Sequence, residues 1–371
     1  MTNWERRIVR LISGVERAYD GLKLRLGGSL GRRRPLLIYP YLGYGSQNFV
    51  YLKGRVLVDK NIQPARQQDS VWVNLVHMYR RFESDEIPYA RLRVRLREQE
   101  QLIQADEEGF FEARFNPANP LPEGLLWKVV DLELIEPFVP EGKSARAEGS
   151  ALIVSPRADF GVISDVDDTV VQTGATNRLR MALTVFLRNA HTRLPLEGVA
   201  HFYRALQAGP TGAGRNPLFY VSSSPWNLYD LFFQFFQINK IPIGPLIFRD
   251  WGISQNSMLS FQHKKFKLSA ICHILDDFPT LPFILIGDSG EEDPEIYAEV
   301  VRGYPGRILT AYIRDVQGER LGGSNKKRRV ALERLVDEVD TLGSSMVLAA
   351  RTIDMVRHAY GRGWINSTPG D

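Results

Sequence analysis

A chain of 371 residues in which 44% are hydrophobic and 24% are charged has the composition of a folded globular protein, which excludes a mainly disordered, collagen-like or coiled-coil chain. The 47 Lys and Arg residues outnumber the 43 Asp and Glu residues, and the net charge of +4 allows an anionic partner without requiring one. The single cysteine, Cys272, excludes an internal disulfide framework and a zinc site made of several thiolates, and its apolar helical surroundings predict a core position.

Residues 1–35 predict a basic amphipathic helix. Trp4, Ile8 and Leu11 fall at helical spacing, and arginines lie mostly between them. Such a helix packs on its own protein or lies on a membrane surface, and the pattern leaves both open. The chain shows neither a secretory signal pattern nor a run of about 18 apolar residues. We therefore expect a cytoplasmic protein, with peripheral attachment to a membrane as the alternative.

Residues 36–150 predict an antiparallel β-sandwich domain, because apolar residues alternate with polar ones or cluster with β-formers. Such segments occur at 48–58, 91–104, 111–115 and 130–134. The turn residues at 106–109 predict a hairpin between the second and third of these segments. A helical pattern at 71–82 interrupts the strands.

Arginines occupy every second position of one predicted strand. They are Arg91, Arg93, Arg95 and Arg97, called the arginine row below. Such a row could bind lipid head groups or nucleic acid, or it could be a solvated strand face, which is the ordinary role of alternating charges. No aromatic RNA-binding signature accompanies it, so we expect no nucleic-acid partner.

From residue 151 onward, short apolar runs alternate with amphipathic stretches. The runs occupy 161–166, 217–222, 244–251, 282–289 and 306–316. Apolar strands separated by helices predict a parallel sheet that is covered on both faces and binds ligands at the carboxyl ends of its strands. We assign residues 151–320 to this α/β domain and residues 321–371 to one or two terminal helices.

An acidic motif follows the first of these strands. Asp165, Asp167 and Asp168 precede Thr169. Two carboxylates about 4 Å apart repel by on the order of 4 kcal/mol at an effective dielectric near 20, so a cation is expected beside them. Mg²⁺ binds carboxylate oxygens, water and substrate phosphate, whereas a single acidic residue at a helix start is ordinary capping.

Three further features indicate phosphate or metal chemistry. Ser222-Ser223-Ser224-Pro225 offers hydroxyl and backbone N–H groups at a helix start, although Ser-Pro is also common there for capping alone. The basic run at 263–267 could neutralise a phosphate or could be a solvated helix start. Asp288 ends a strongly apolar strand, and Asp293 follows five residues later.

In chain order, Asp-x-Asp-x-Thr, Ser, Lys and Gly-Asp-x-x-x-x-Asp resemble the motifs of the haloacid dehalogenase superfamily. Longer strings are similar to the phosphatidate phosphatase family of the yeast actin-patch protein and its bacterial relatives. These are SDVDDTVVQTGAT, YVSSSPWNLYD, GDSGEEDPEIY and AYIRDV, with YPYLGYGS (39–46) and GRVLVDK (54–60) in the first domain. The resemblance implies a Rossmann-like parallel sheet with a minimal cap.

The resemblance also implies a role for each matching residue. Asp165 would be the nucleophile that forms an aspartyl-phosphate, and Asp167 would be the general acid and base. Thr169 would orient the loop. Ser222 and Ser223 would bind phosphate oxygens.

The phosphate-binding lysine and the metal ligands follow in the same way. Lys267 stands four residues before Ile271, a spacing typical of the family, and Lys264 is the alternative. Mg²⁺ would be held by Asp165, Asp288 and the backbone carbonyl of Asp167. Asp293 would support these ligands without contacting the metal.

The motifs recognise phosphate rather than the group attached to it, so the substrate comes from the family alone. The family implies phosphatidate and the product diacylglycerol, hence a hydrolase of lipid metabolism. The alternatives are a phosphatase of soluble phosphomonoesters or phosphoproteins, or a catalytically silent membrane or protein adaptor. Residues 173–195 predict a helix that presents lipid substrate at a membrane or packs on the core.

Overall fold

The computed structural model describes residues 35–59, 86–124, 126–137, 145–166, 197–212, 215–249, 259–315 and 325–366. Three predicted helices, at 1–35, 71–82 and 173–195, lie outside these residues except for Pro35. In the described part of the chain, no helix is long and apolar enough to cross a membrane.

In the first region, called the β-domain below, the described residues form eight strands. They are β1 (Leu36–Pro40), β2 (Gly43–Gly45), β3 (Val50–Val58), β4 (Arg91–Leu96), β5 (Gln99–Gln104), β6 (Phe110–Phe115), β7 (Trp127–Glu136) and β8 (Arg146–Ile153). They lie in one eight-stranded sheet in the order β1-β3-β2-β8-β7-β4-β5, and β6 pairs with β3. All pairs are antiparallel except β2 with β8.

The sheet of the β-domain curls so that β5 approaches β6. The side-chain amides of Gln99 and Gln101 donate hydrogen bonds to the backbone carbonyls of Asn116 (3.2 Å) and Arg114 (2.8 Å). The alternating apolar residues predicted from the sequence face inward and are buried, among them Leu92, Val94, Phe111, Val130 and Leu132. The antiparallel sheet is therefore confirmed, but a sandwich of two separate sheets is not.

The position predicted for the hairpin turn is wrong. The segment 91–104 is itself a hairpin, because β4 pairs with β5 across a turn at Arg97 and Glu98. Arg97 adopts a positive φ of 54°, a conformation for which arginine gives no sequence signal. The turn at 106–109 instead leads into β6, which pairs with β3.

Six strands and six helices make up the described residues of the second region, called the α/β-domain below. The strands are β9 (Gly161–Asp165), β10 (Leu218–Pro225), β11 (Leu246–Arg249), β12 (Phe283–Asp288), β13 (Ile308–Arg314) and β14 (Met346–Ala349). The helices are α1 (Val199–Ala208), α2 (Tyr229–Ile238), α3 (Leu259–Asp277), α4 (Asp293–Gly303), α5 (Asn325–Thr341) and α6 (Thr352–Gly361).

The strands of the α/β-domain are parallel and lie in the order β11-β10-β9-β12-β13-β14. Numbered from β9, this is the doubly wound order 3-2-1-4-5-6, in which the winding reverses between β9 and β12. The predicted parallel sheet is confirmed. The cap expected between β9 and α1 lies outside the described residues.

The C-terminal segment, predicted to contain only helices, also contains a strand. Met346–Ala349 is a strand that pairs with β13 and extends the parallel sheet. A four-residue apolar run carries no periodicity that separates a strand from a helix, and the open edge of β13 decides its conformation. Cys272 is also less buried than predicted, because α3 leaves it half-exposed.

The two regions share their hydrophobic cores. Tyr41 and Phe110 of the β-domain pack with one face of the parallel sheet, whereas Tyr44 and Phe49 pack with the other. A third core lies inside the β-domain. The two regions therefore form one continuous packed body.

Candidate active site

Two aspartates end neighbouring strands at the point where the winding of the sheet reverses. Asp165 is the last residue of β9 and Asp288 the last of β12, and their exposed fractions are 2% and 0%. The apolar strands bury every residue up to these positions, so the carboxylates are carried into the protein interior. Ligands of doubly wound sheets bind in the crevice at this point.

Asp293 joins these two aspartates. It is the first residue of α4 and is fully buried. One oxygen each of Asp165, Asp288 and Asp293 lies within 4.8 Å of the others. Gly287 makes this approach possible, because a Cβ atom there would overlap the Asp293 carboxylate and lie 2.8 Å from the Tyr297 hydroxyl oxygen.

Lys267 from α3 is buried against two of these aspartates and Glu291. Its Nζ atom lies 2.7 Å from Asp165 Oδ1, 2.8 Å from Asp293 Oδ1 and 3.1 Å from Glu291 Oε2. The other candidate, Lys264, is half-buried and pairs with Glu299 at 2.9 Å. The structure thus brings Lys267, and not Lys264, to the aspartates.

Glu291 was not among the residues singled out from the sequence. It lies inside the string GDSGEEDPEIY, but consecutive acidic residues do not reveal which side chain turns inward. Together with Asp165, Asp288, Asp293 and Lys267 it forms a group that we call the acidic cluster.

The charges of the acidic cluster change the protonation of its members. Burial, followed by repulsion from Asp293 and Glu291, raises the pKa of Asp288 from 3.8 to about 8. Burial likewise raises the pKa of Asp293, although Lys267 opposes this. Burial lowers the pKa of Lys267, but the charges of Asp165, Asp293 and Glu291 outweigh it, so the pKa lies well above its ordinary value. Lys267 therefore stays an ammonium ion.

The donor set fits a hard divalent cation. Asp288 Oδ1 accepts hydrogen bonds from the backbone N–H groups of Gly290 (2.6 Å) and Glu291 (3.1 Å). Asp288 Oδ2 is buried and has no hydrogen-bond partner among the described residues. An oriented, buried carboxylate with one oxygen left over suits a metal ligand. The buried Asp triad could therefore bind a metal.

Asp293 is placed differently from the other two aspartates. Its Oδ1 atom accepts a hydrogen bond from Lys267 Nζ, and its Oδ2 atom accepts one from the backbone N–H of Asp288 (3.2 Å). Both oxygens are thus occupied by protein groups. This geometry suits a residue that fixes Lys267 and Asp288 in place.

The serines predicted to bind phosphate end the strand on the other side of β9. Val221 pairs with Asp165 across the β9–β10 ladder, so Ser222 stands one position further along the same sheet edge. Ser222 and Ser223 are buried, and Ser222 Oγ accepts a hydrogen bond from the backbone N–H of Ser224 (3.0 Å). The pairing of β10 with β11 is irregular between Ser222 and Pro225. The serine segment therefore bulges away from its neighbouring strand.

Two buried hydroxyl groups lie behind Asp165 and were also missed from the sequence. Ser164 Oγ donates a hydrogen bond to the backbone carbonyl of Asp165 (2.6 Å) and lies 2.6 Å from the hydroxyl oxygen of Tyr203. These contacts connect the end of β9 to α1. Their pairing depends on distant packing, which no local pattern reveals.

Asp167 and Thr169, predicted as the general acid and base and as the loop-orienting residue, lie outside the described residues, as does Asp168. Their predicted roles stay predictions.

A family model described as "Phosphatidate phosphatase APP1, catalytic domain" matches residues 160–315. The chain is 36% identical over 162 residues to phosphatidate phosphatase APP1 of Saccharomyces cerevisiae, covering 43% of this chain and 26% of that protein. It is 32% identical over 190 residues to an uncharacterized protein of Schizosaccharomyces pombe, covering 50% of this chain and 30% of that protein. The predicted relationship to phosphatidate phosphatases is therefore confirmed for residues 160–315.

The match extends over only part of these relatives, since the chain spans 26% and 30% of their lengths. Among solved structures, a carbohydrate acetylesterase from Xanthomonas citri is 11% identical and covers 81% of this chain and 72% of its own, with a TM-score of 0.26. A TM-score this low supports no conclusion about fold or function.

Proposed function

We propose that this protein is a Mg²⁺-dependent phosphatase of the haloacid dehalogenase type that hydrolyses phosphatidate through an aspartyl-phosphate on Asp165. The observation that carries the proposal is the convergence of Asp165, Asp288 and Lys267, from two strands and a helix, in one buried cluster. The family match over residues 160–315 supports the phosphatase activity.

In the first step, a carboxylate oxygen of Asp165 attacks the phosphorus atom and forms a new P–O bond. The bond between phosphorus and the ester oxygen breaks, and Asp167 in its protonated form gives a proton to the departing alkoxide. In the second step, Asp167 takes a proton from a water molecule, whose oxygen attacks the phosphorus; the bond between phosphorus and the Asp165 oxygen breaks and inorganic phosphate is released. Asp165 is regenerated as a carboxylate.

Lys267 and the serines prepare the chain for this reaction. The ammonium group 2.7 Å from Asp165 favours the ionised carboxylate, which is the nucleophilic form. Ser222 and Ser223, at the end of the neighbouring strand, would donate hydrogen bonds to phosphate oxygens. Mg²⁺, held by Asp165, Asp288 and the carbonyl of Asp167, would neutralise charge on the phosphate.

The substrate in this proposal is phosphatidate, and it rests on the names of the relatives, because the described residues recognise only the phosphate. A soluble phosphomonoester or a phosphoprotein would meet the same cluster. A silent adaptor is disfavoured, because Asp165, Asp288 and Lys267 are all present and brought together. A cytoplasmic location and attachment to a membrane surface belong to the proposal, and the lipid substrate accounts for the attachment.

The test compares hydrolysis of phosphatidate in mixed micelles with hydrolysis of glycerol 3-phosphate, each with Mg²⁺ and with EDTA. We expect phosphatidate to be preferred, and we expect Asp165→Asn to lower turnover by about 10⁴-fold or more, since removal of a nucleophile leaves only residual catalysis. The matched control is Asp159→Asn, which removes a carboxylate just before the opposite end of β9 and should leave turnover unchanged.

The outcomes separate the parts of the proposal. Equal turnover of the soluble ester would contradict the lipid substrate. Full activity of Asp165→Asn would contradict the mechanism, and a wild-type chain without activity on any phosphomonoester would favour the adaptor.

A further inference from the structure

One side of the domain interface lies directly behind the proposed phosphate-binding serines. The serine segment Ser222–Ser224 continues into Pro225 and a 3-10 turn, Trp226–Leu228, which leads into α2. Residues of the β-domain contact this turn and the start of α2 at several points. The contacts come from β1, the β1–β2 connection and β3.

Arg55 of β3 makes the charged contact. Its exposed fraction is 7%, and its Nη1 atom donates a hydrogen bond to Asn227 Oδ1 (3.0 Å). The same guanidinium donates to the backbone carbonyl of Glu108 (2.8 Å) and to Glu86 Oε1 (3.1 Å), and it lies 4.3 Å from the centre of the Phe110 ring. Because Arg55 is fixed on three sides within the β-domain, it holds Asn227 at a defined position.

Aromatic and backbone contacts hold the neighbouring residues. The Tyr41 ring stacks on the Trp226 ring with centroids 4.2 Å apart, and both residues are buried. The backbone N–H of Leu42 donates a hydrogen bond to the Tyr229 hydroxyl (2.9 Å). The Tyr39 hydroxyl donates one to Asp230 Oδ1.

The serine segment needs support from outside its own sheet. Between Ser222 and Pro225 three residues of β10 advance while β11 advances one, so the segment is bulged and the ladder is interrupted. Bulges of this kind redirect side chains beside active sites and rely on surrounding contacts for their geometry. The β-domain supplies such contacts on the far side of Pro225.

We infer that Arg55 and Tyr41 of the β-domain are positioning residues that hold the Ser222–Ser224 segment in its phosphate-binding shape. This inference rests on the proposed function, in which these serines bind phosphate. It also accounts for the first-domain strings YPYLGYGS and GRVLVDK, which contain Tyr41 and Arg55 and to which the proposed mechanism gives no role.

The competing explanation is that Arg55 only docks one domain on the other. A second interface arginine provides the control. Arg114 of β6 pairs with Asp277 at 2.9 Å, at the last residue of α3. Asp277 lies ten residues beyond Lys267, about 15 Å along the helix axis, so the pair of Arg114 and Asp277 is remote from the acidic cluster. The Arg114 side chain is more exposed than that of Arg55 (45% against 8%), so loss of docking alone would lower stability by different amounts but would raise KM in neither variant.

The experiment uses the full chain and compares Arg55→Ala with Arg114→Ala. For each variant, kcat and KM for phosphatidate in mixed micelles and the melting temperature are measured. We expect Arg55→Ala to lower kcat/KM by about 10- to 100-fold and to raise KM, because a misplaced binding group weakens substrate positioning. We expect Arg114→Ala to stay within about twofold of wild type. A smaller folded fraction would lower the apparent kcat and leave KM unchanged, so the rise in KM reports positioning.

A double-mutant cycle identifies the route of the effect. If Arg55 acts through the serine segment, Arg55→Ala should change kcat/KM by no more than about twofold in a Ser222→Ala background. Tyr41→Ala, which removes the ring stacked on Trp226, should resemble Arg55→Ala. Equal effects of Arg55→Ala and Arg114→Ala, or full additivity with Ser222→Ala, would overturn the inference.

Binding of orthovanadate with Mg²⁺, measured by calorimetry, separates this inference from the proposed function. Suppose that the wild-type chain binds vanadate but hydrolyses nothing, and that Arg55→Ala weakens the binding while Arg114→Ala does not. This result would overturn the proposed function and leave the inference standing. An active chain in which both variants bind vanadate as wild type does would overturn the inference alone. A chain that neither binds nor hydrolyses would overturn both.

Discussion

The acidic cluster and the arginine row are built from the same kinds of charged side chain in opposite surroundings. In the acidic cluster, one lysine contacts three carboxylates in the protein interior. In the arginine row, Arg91 pairs with Glu136, Arg93 with Glu133 and Glu100, and Arg95 with Glu100, on the outer face of the β-domain sheet. Arg93 and Arg95 form a network through their shared partner Glu100, as Lys267 does with its three carboxylates, whereas Arg91 and Glu136 form a separate pair.

Exposure separates the two networks. The Lys267 side chain is 4% exposed, whereas the Arg95 side chain is 48% exposed. Water screens exposed pairs, so they contribute little to stability, while removal of one partner from a buried network leaves an uncompensated charge in a medium that solvates it poorly. The arginine row is therefore a solvated strand face. The acidic cluster instead carries an excess of buried negative charge, which the protein must offset with a cation or a proton.

The largest expected difference is in stability. Lys267→Met should lower the free energy of unfolding by about 3–5 kcal/mol, because it leaves buried carboxylates without their ammonium partner. Arg95→Met is the control and should shift the urea midpoint too little to measure. Both are compared by urea unfolding at pH 7 in EDTA. Similar shifts in the two variants would show that burial does not distinguish the networks.

The turnover number kcat should also distinguish Lys267 from Lys264. Lys267→Met should lower kcat by about 10²- to 10³-fold, as does removal of other charged groups that face a transition state. Lys264→Met removes only the half-buried pair with Glu299, and its kcat should stay within about twofold of wild type. Steady-state hydrolysis of phosphatidate measures both. A large loss in Lys264→Met would reverse the assignment of the two lysines.

Mg²⁺ should stabilise the acidic cluster and not the arginine row. At a hundred times its dissociation constant, a ligand that binds only the folded chain adds about 2.7 kcal/mol, which thermal denaturation detects as a higher melting temperature. Asp288→Asn should abolish this increase, because it removes the carboxylate with the unpartnered oxygen. Glu100→Gln should retain it in full, and a loss there would place the cation elsewhere.

The dependence of stability on pH is the smallest effect when it is expressed per pH unit. In EDTA, Asp288 binds its proton up to about pH 8 in the folded chain but only to about 3.8 when unfolded, so the folded state holds more protons between these values. Stability in EDTA should therefore fall as pH rises from 5 to 8, by at most about 1.4 kcal/mol per unit. Because Mg²⁺ needs the ionised carboxylate, its stabilisation should grow over the same range.

In the arginine row, stability should depend on pH with the opposite sign and below the range of pH 5 to 8. Hydrogen bonds from Arg95 and Arg93 lower the pKa of Glu100, so its contribution is present above about pH 4.5 and is lost as pH falls. Glu100→Gln should thus leave the slope between pH 5 and 8 unchanged, whereas Asp288→Asn should flatten it. Chemical unfolding at several pH values measures both slopes, and a steep slope that survives Asp288→Asn would assign the titration to another group.

Much of the fold can be predicted from the composition of the chain and the spacing of its hydrophobic residues. The apolar runs at 161–166 and 282–289 place β9 and β12 within a residue or two, because strands that are buried on both faces need continuous apolar residues. Alternation at 130–134 places buried residues on one face of β7. Partner choice was harder to predict: β5 pairs with β4 and not with β6, and β14 is a strand because the edge of β13 is open to it.

The residues of the candidate site also fall into those that the sequence predicts and those that it does not. Its acidic residues could be predicted one by one from strand ends and motif order, and the preference for Lys267 over Lys264 followed from the spacing typical of the family that the chain resembles. Glu291, Ser164 and Tyr203 could not, because their roles depend on which side chains meet after distant segments pack. The contacts of Arg55 and Tyr41 with Asn227 and Trp226 arise in the same way.

The amino-acid sequence by itself determined which residues end each buried strand, and therefore which carboxylates and hydroxyls are carried to one edge of the sheet. Only the tertiary structure decided that Asp165, Asp288 and Asp293 lie within 4.8 Å of one another around Lys267, and that the β-domain packs behind the serine segment. The physical reason is that local periodicity fixes the direction of a side chain along its own strand or helix, whereas distances between segments are set by how the whole core packs.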